Sequence, residues 1–492
     1  MKKIFISFLA LVAIVGVANA QRTWAYDLNS TQEGDAYTFE FKATTAATTA
    51  NLVLVDVNGN EVAKLPLENV VAGANSVTLE LAKLHKDAVN WAVELTGEAI
   101  VAGETLAEVT DQSRGIYDFY NMMDVLVDNN PESEYFGKIY IQMAFNGASD
   151  GATDRADVQT AGLFIYDQEL NELNDPSNVS IKPTLPEGYT MGDNRNKFHR
   201  LEIDPKTGKL AYCYNIAGSP AVFAIDRANL TGEVENLIAG VDGLNQTCAL
   251  AFDAEGTLYL MNLANSAGAV YKFVDGQAVA MFEPTGKFVN ASMSMAADGM
   301  GGLWIAQNRG QLDGYYQLAH MTSAGVIDWY VYDDLGTYVY NQSEGTSSTG
   351  WTGGSTRGAL AYDAERQILA QGRNGAVELF NVAYDAETGV PTLTKFAVTP
   401  TVGNNIDGLH FDYAGDLYVV NSSKEKFQKF AVPTTDNTCT TPAKSSLVIT
   451  GGTATSIDNV AISVDAQKII RNGQVLIIRD GKTFNMLGQE VK

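Results

Sequence analysis

Two stretches of the chain follow one pattern: LAFDAEGTLYL at residues 250–260 and LHFDYAGDLYV at residues 409–419. Each begins with an apolar run that ends in Phe-Asp, continues through a turn that contains Gly, and ends in alternating aliphatic and aromatic residues. Strands favour β-branched and aromatic side chains with a period of two, and Gly favours the turn that joins two strands. Each stretch therefore predicts a β-hairpin.

The same pattern recurs through the middle of the chain, between about residues 115 and 432. An Asp closes the first apolar run of each copy and an Asn follows the second: Asp128 and Asn146, Asp204 and Asn215, Asp253 and Asn262, Asp298 and Asn308, Asp363 and Asn374, and Asp412 and Asn421. A third apolar run follows most of the Asn positions, and the shorter copies repeat every 46 to 47 residues. This spacing is typical of a four-stranded propeller blade. The sequence therefore predicts an all-β fold with a six-bladed β-propeller.

These copies resemble NHL repeats, in which an apolar residue and Asp precede a Gly, an aromatic residue and an Asn. We expect the repeated Asp to be a turn residue rather than a catalytic group, because Asp bonds the backbone of its own turn. We expect the repeated Asn to end a strand.

The regions before and after the repeats predict separate modules. Residues 1–20 combine two Lys, an apolar run and a final Ala-Asn-Ala, which is the pattern of a secretory signal peptide. Residues 21–110 alternate apolar and polar side chains and predict a small β-sandwich of immunoglobulin-like kind. We assign residues 111–432 to the propeller and residues 433–465 to a linker.

Residues 466–492 form the C-terminal tail, in which two β-rich runs flank Asp480-Gly481 and predict a β-hairpin. The segment FNMLGQEV at 484–491 resembles the core of type IX secretion sorting tails. This resemblance implies that the type IX secretion machinery is a partner. With the signal peptide, it predicts export to the extracellular space or cell surface, with the periplasm as an alternative. A plain terminal hairpin is the other interpretation of the tail.

The overall charge argues against two classes of partner. The formal net charge of −25 repels nucleic acid and anionic lipid surfaces. After residue 20 no apolar run is long enough to predict a transmembrane segment. The three cysteines, Cys213, Cys248 and Cys439, do not form a disulfide framework. We expect Cys213 and Cys248 to be buried free thiols, with a bridge between them as the alternative.

Ligand binding without catalysis is the main functional hypothesis. The insertion at residues 333–356 contains Tyr338, Tyr340 and Trp351 among Gly, Ser and Thr residues. Aromatic faces beside hydroxyl and amide groups suit stacking on sugar rings or anchoring a protein. His199, Arg200 and Arg357 stand at the start of predicted blades and complete the candidate set. A glycan or a surface protein is the expected partner.

A hydrolase is the alternative hypothesis. The segment NIDGL at residues 405–409 resembles the Asp-Gly-Leu strand of lactonase and gluconolactonase propellers. That resemblance implies a metal-dependent hydrolase in which Asp407 is a ligand of a divalent ion, for which calcium is the candidate. The starts of the other blades lack the Glu and Asn that complete the metal ligands in those lactonase propellers. A calcium site needs six to eight oxygen ligands. No His lies beside a Gly-x-Ser-x-Gly elbow, and we expect His410 to pack within a strand.

Overall fold

The computed structural model describes residues 21–447 and three strands between residues 467 and 485, with gaps at 115–116, 145, 147–159, 175–179, 195–196, 266, 275, 283–285, 290–292, 308–315, 331–357, 374, 404 and 423. The predicted signal peptide lies outside the described residues. The chain forms two compact units, one from Trp24–Thr96 with Thr438–Lys492 and one from Gly97–Asn437 with residues 21–23. Within the described ranges, no helix reaches the length and hydropathy that crossing a bilayer requires.

The first unit is a β-sandwich. One antiparallel sheet contains Ala25–Glu33, Ala36–Ala43 and Gly73–Glu80, and the other contains Thr438–Pro442, Asn90–Thr96, Thr49–Val55 and Glu61–Pro66, in that order. Phe39 and Trp91 meet between the sheets with ring centroids 5.0 Å apart, and both side chains are buried. The strand Thr438–Pro442 lies inside the segment that the sequence treats as a linker, and its Thr-rich composition suits a sheet edge.

The C-terminal strands Gln467–Arg471, Gln474–Arg479 and Lys482–Asn485 form a three-stranded antiparallel sheet. The last two strands are the hairpin that the sequence predicts. The additional strand arises because the first apolar run is divided by Asn-Gly at residues 472–473, which is itself a hairpin turn signal.

The second unit contains six sheets among its described residues, and we number these blades in chain order. Strands are given from the inner strand outward. Blade 1 contains Met122–Val127, Ile139–Met143 and Gly162–Tyr166, and blade 2 contains His199–Ile203, Leu210–Tyr214, Ala221–Ile225 and Glu235–Asn236. Blade 3 contains Thr247–Phe252, Leu258–Ala264, Ala267–Val274 and Gln277–Phe282, and blade 4 contains Met293–Ala297, Leu303–Gln307, Leu318–Met321 and Ile327–Tyr330. Blade 5 contains Leu360–Asp363, Ile368–Arg373, Ala376–Tyr384 and Pro391–Val398, and blade 6 contains Ile406–Phe411, Leu417–Asn421, Lys426–Ala431 and Ala107–Glu108.

The blades close into a ring. Each inner strand packs against the inner strands of the blades before and after it, and the inner strand of blade 6 packs against that of blade 1. The outer strand of blade 6 comes from the start of the unit, since Ala107–Glu108 pairs with Lys426–Ala431. This pairing joins the two ends of the propeller chain through backbone hydrogen bonds. The architecture confirms the predicted six-bladed β-propeller. Short 3-10 helices occur at Leu81–Lys83, Gln112–Arg114 and Arg227–Asn229.

The repeated Asp residues cap the turn after each inner strand, as the sequence predicts. In blade 6, the Oδ1 of Asp412 accepts hydrogen bonds from the backbone N–H groups of Ala414, Gly415 and Asp416 at 2.9–3.1 Å. Equivalent bonds are accepted from backbone N–H groups two or three residues ahead by the carboxylates of Asp128, Asp204, Asp253, Asp298 and Asp363. These carboxylates therefore have a structural role in shaping the hairpins.

Two buried ionic clusters stabilise individual blades. In blade 6, the Lys429 ammonium lies 3.0 Å from Asp412 and 3.5 Å from Asp416, and the Lys429 side chain is 1% exposed. In blade 4, the His320 ring lies between Asp298 at 3.1 Å and Asp328 at 2.7 Å. Burial lowers the pKa of His320, but the two carboxylates outweigh it and hold that pKa above its ordinary value.

The cysteines are free, as the sequence predicts for the two in the propeller. Cys213 and Cys248 are buried in the second and third blades, and Cys439 is half-buried in the sandwich. Burial raises the pKa of both propeller thiols, so they behave as small apolar side chains.

Candidate functional site

A cavity of about 310 Å³ lies on the axis of the propeller and is lined by residues from all six inner strands. Its rim is formed by the hairpin turns that follow these strands, where Asn129, Glu365 and Tyr413 line it and Glu365 is exposed. A pocket of this volume fits a small organic ligand. The central cavity is therefore the candidate site in the described part of the propeller.

Arg200 closes the other end of the cavity. A β-bulge at the start of the inner strand of blade 2 separates His199 from Leu201 in the register, and Arg200 between them has a φ of +53°. The Arg200 guanidinium donates hydrogen bonds to the carbonyls of Met293 at 2.5 Å and Met123 at 3.0 Å. Because the side chain is only 3% exposed, it forms the floor of the cavity.

Asp124 connects blades 1 and 2 beside this floor. Its Oδ1 accepts a hydrogen bond from the backbone N–H of Val125 at 3.0 Å, and its Oδ2 accepts one from the backbone N–H of Leu201 at 2.8 Å. Burial raises the pKa of Asp124 to about 6, although Arg200 and these two bonds oppose the increase. The carboxylate thus fixes the spacing of two inner strands at the cavity.

Glu202 is the carboxylate that reaches the cavity wall. It lies in the inner strand of blade 2, two residues after Arg200, and it lines the cavity beside Arg200 and Leu201. Burial raises the pKa of Glu202 to about 8, and the nearby Asp124 raises it further. The Glu202 carboxyl is therefore protonated at neutral pH and can donate a hydrogen bond into the cavity.

His410 lines the same cavity from blade 6. Its Nδ1 lies 2.7 Å from the carbonyl oxygen of Phe411, and burial lowers the pKa of His410 to about 4. The ring is therefore neutral at physiological pH. With Nδ1 engaged by the backbone, Nε2 is the nitrogen that remains for a ligand, since no described residue bonds to it.

The rim carries a cation that is already paired. The Arg366 guanidinium lies 2.9 Å from the Asp363 carboxylate and also donates to the carbonyl of Tyr413 at 2.9 Å. It joins the turns of blades 5 and 6. The lining contains five acidic side chains and two arginines, so it disfavours an anionic ligand.

The structure places the sequence-predicted residues in three different settings. Arg200 lies at the floor of the cavity, whereas His199 is fully buried beside it, with its backbone paired to Cys213 in the register of blade 2. Asp407 is fully buried, and its Oδ2 accepts a hydrogen bond from the backbone N–H of Ser422 at 2.9 Å. The remaining candidates lie outside the described residues: Tyr338, Tyr340, Trp351 and Arg357.

The donor set around Asp407 does not fit a divalent metal. Among the described residues, no group of three or more His, Cys, Asp or Glu side chains converges as metal ligands would. The backbone carbonyl of Asp407 accepts a hydrogen bond from the cationic Arg200 guanidinium. A calcium ion would meet this positive charge where it would need further oxygen ligands. The residues around Asp407 therefore do not fit a calcium ion.

Sequence reasoning missed two of the groups that the cavity brings together. The sequence pattern does not single out Glu202, and it predicts only that His410 packs within a strand. The sequence does contain one signal for Glu202, because it is an acid between two apolar residues in a predicted inner strand. Such an acid faces either solvent or a cavity. The sequence pattern does not identify which strand face borders the axis.

Comparisons with known proteins return only distant similarity. No family model and no curated protein matches the chain. Among solved structures, it resembles the calcium-binding protein regucalcin from Agrobacterium tumefaciens, at 15% identity over 68% of this chain and 96% of that one, with a TM-score of 0.38. It also resembles a gluconolactonase from Xanthomonas campestris, at 11% identity over 69% and 98%, with a TM-score of 0.39. A glucose dehydrogenase matches at 13% identity over 67% and 100%, with a TM-score of 0.39. The class of protein, an all-β propeller, rests on the sheet topology described above.

Proposed function

We propose that the propeller binds a small uncharged hydroxylated ligand, of the size of a sugar lactone, in its axial cavity. The observation that carries this proposal is the lining of the cavity, which combines polar groups with apolar side chains from all six blades. Small-molecule sites are concave and mostly apolar, and a few placed polar groups orient the ligand. A sugar-like molecule offers both a set of hydroxyls and less polar ring faces.

The polar groups define the chemistry of the ligand. A protonated Glu202 donates one hydrogen bond and accepts another, and the neutral ring of His410 adds a further donor or acceptor. Hydroxyl groups match both functions because each is a donor and an acceptor. Arg366 is engaged by Asp363, so an anionic ligand gains little from its charge.

Calorimetric titration tests this proposal with three probes: D-glucose, D-gluconate and D-glucono-1,5-lactone. We expect a neutral probe to bind with one-to-one stoichiometry and gluconate to bind more weakly. Glu202→Gln keeps the size and one donor, and we expect it to weaken binding up to about tenfold, the value of one hydrogen bond. Glu255→Gln, at an exposed turn of blade 3 outside the cavity lining, is the matched control. Equal affinities in the two variants would contradict the proposed role of Glu202.

Hydrolysis of a bound lactone is the second candidate function. The pKa values of Glu202, at about 8, and Asp124, at about 6, are displaced from their ordinary range in one cavity. Carboxyl groups with displaced pKa values are suited to general acid–base catalysis. A pH-stat assay with D-glucono-1,5-lactone in the presence of EDTA tests this candidate. Hydrolysis that EDTA leaves intact and Glu202→Gln abolishes would support it, and a rate equal to the uncatalysed rate would exclude this substrate.

Recognition of a glycan or protein by the loop at residues 333–356 remains a separate proposal. It rests on the composition of that segment, whose structure lies outside the described residues. A glycan array probed with the wild type and with Trp351→Ala tests the sugar version, and the absence of retention in the wild type would overturn it. Export is likewise a proposal, and N-terminal sequencing of the protein from its native cells should find Gln21 as the first residue.

A further inference from the structure

The start of an inner strand has the same irregularity in four of the blades. Bulges interrupt the register at equivalent positions, where one extra residue lies between the paired ones: Met123, Arg200, Cys248 and Asp407. A bulge breaks the hydrogen-bond ladder at that residue and turns its peptide groups away from the neighbouring strand. Carbonyl groups at these positions therefore need donors from elsewhere, because a buried carbonyl without one destabilises the fold.

Arg200 is the donor for two of these carbonyls, at Met123 and Asp407, and it also reaches a carbonyl at the start of blade 4. Its guanidinium bonds the carbonyls of Met123 in blade 1, Met293 in blade 4 and Asp407 in blade 6, while its own backbone belongs to blade 2. One side chain thus connects four of the six inner strands across the axis. Arginine can do this because its guanidinium has five donors in a rigid plane.

The backbone of Arg200 is shaped for this position. Its φ of +53° lies in the left-handed region, which is uncommon and strained for a residue with a Cβ. Such strain persists where the surrounding contacts maintain it. Burial lowers the pKa of Arg200, and the carboxylates of Asp124 and Asp407 oppose that decrease in part. The site therefore holds a buried guanidinium with two carboxylates beside it.

We infer that the Arg200 guanidinium occupies the axial cation site of this propeller, so that the ring needs no metal ion to hold its inner strands together. A ring of converging carbonyls with nearby carboxylates is the environment that a hard cation would otherwise fill. In this chain a covalently attached cation fills it. The cavity is consequently closed at the Arg200 end, and a ligand enters from the rim formed by the hairpin turns.

Thermal unfolding of the full chain tests this inference with two variants. Arg200→Ala removes the guanidinium, and Lys182→Ala removes an exposed positive charge of the same unit. We expect Arg200→Ala to lower the Tm by about 5 °C or more, since a buried charged partner is lost, and Lys182→Ala to change it by about 1 °C or less. Low concentrations of guanidinium chloride should restore part of the Tm of Arg200→Ala while slightly lowering that of the Lys182→Ala control.

A metal titration of the wild type completes the test, and it does not depend on whether Arg200→Ala folds. We expect the same Tm, within about 1 °C, in calcium chloride and in EDTA, because no cation binds the occupied site. Saturable stabilisation of the wild type by calcium would overturn the inference. The inference would also be overturned if Arg200→Ala had the same Tm as the control variant, or if guanidinium chloride did not raise the Tm of Arg200→Ala relative to that of the control.

Discussion

Replacing Gly408 with Ala tests the closure of the ring. Gly408 lies in the inner strand of blade 6, and a Cβ on it would stand 2.6 Å from the Cα of Asp124 and 2.9 Å from the backbone nitrogen of Val125, both in blade 1. Carbon contacts are favourable only near 3.5 Å or beyond, so one of the two inner strands would have to move by roughly 1 Å. The obstacle is backbone, which cannot rotate away as the end of a side chain can.

We expect Gly408→Ala to lower the free energy of unfolding by about 3 kcal/mol, at the upper end of the range for overpacked cores. The displacement also affects Asp124, whose carboxylate holds the backbone N–H of Leu201. Urea unfolding followed by near-UV circular dichroism measures the change. Gly103→Ala is the matched control, because Gly103 lies in an exposed loop with Thr105 as its nearest neighbour. If the two variants have the same urea midpoint, blades 6 and 1 are not in contact as described.

Three further changes should affect stability in defined directions. His320→Asn should destabilise the protein most at low pH. Because the folded pKa of His320 is raised, the stability that His320 contributes is fully present below about pH 6.5 and is lost as the pH rises through the folded pKa. Measuring the Tm of both proteins across this pH range would show the difference. Glu202→Gln should stabilise the protein, and more so at higher pH. Because the folded pKa of Glu202, at about 8, exceeds the ordinary value, the wild type loses stability as the pH rises from about 4.5 to 8. The Tm of the variant relative to the wild type should therefore increase over that range. Lys429→Met should cost about 3–5 kcal/mol in urea unfolding, because it leaves two buried carboxylates without their cation. A profile that is flat with pH, or an unchanged urea midpoint for Lys429→Met, would contradict the corresponding assignment.

Local patterns were sufficient to predict the propeller. The Asp turns, the Gly positions and the alternating strands repeat in sequence, and each depends only on residues within one hairpin. The pairings that join distant parts of the chain were not visible in the same way. Ala107–Glu108 pairs with blade 6, and Thr438–Pro442 pairs with Asn90–Thr96, across more than 300 residues in each case. Short strands of ordinary composition carry no local signal for such partners.

The candidate site was harder to predict than the fold. Arg200 and His199 were placed at the start of a blade, but whether such a residue faces the axis depends on the bulge that precedes Leu201. The segment NIDGL at residues 405–409 implies, through its resemblance to lactonase propellers, that Asp407 is a metal ligand. In the structure, Asp124 approaches Gly408 so closely that a Cβ would not fit there. The Asp-Gly-Leu motif is therefore explained by packing between blades 6 and 1. Glu202 and His410 come together only when blades 2 and 6 are placed around a common axis.

The most direct measurement of the central claim is ligand-observed NMR on the wild type and on Ser294→Phe, a variant that fills the axial cavity from blade 4. The probes are D-glucose, D-gluconate and D-glucono-1,5-lactone, and circular dichroism confirms that the variant keeps its fold. The account predicts saturation transfer to a neutral probe with the wild type and its loss with Ser294→Phe. Transfer of equal strength to both proteins, or to neither, would contradict the assignment of the axial cavity as the site.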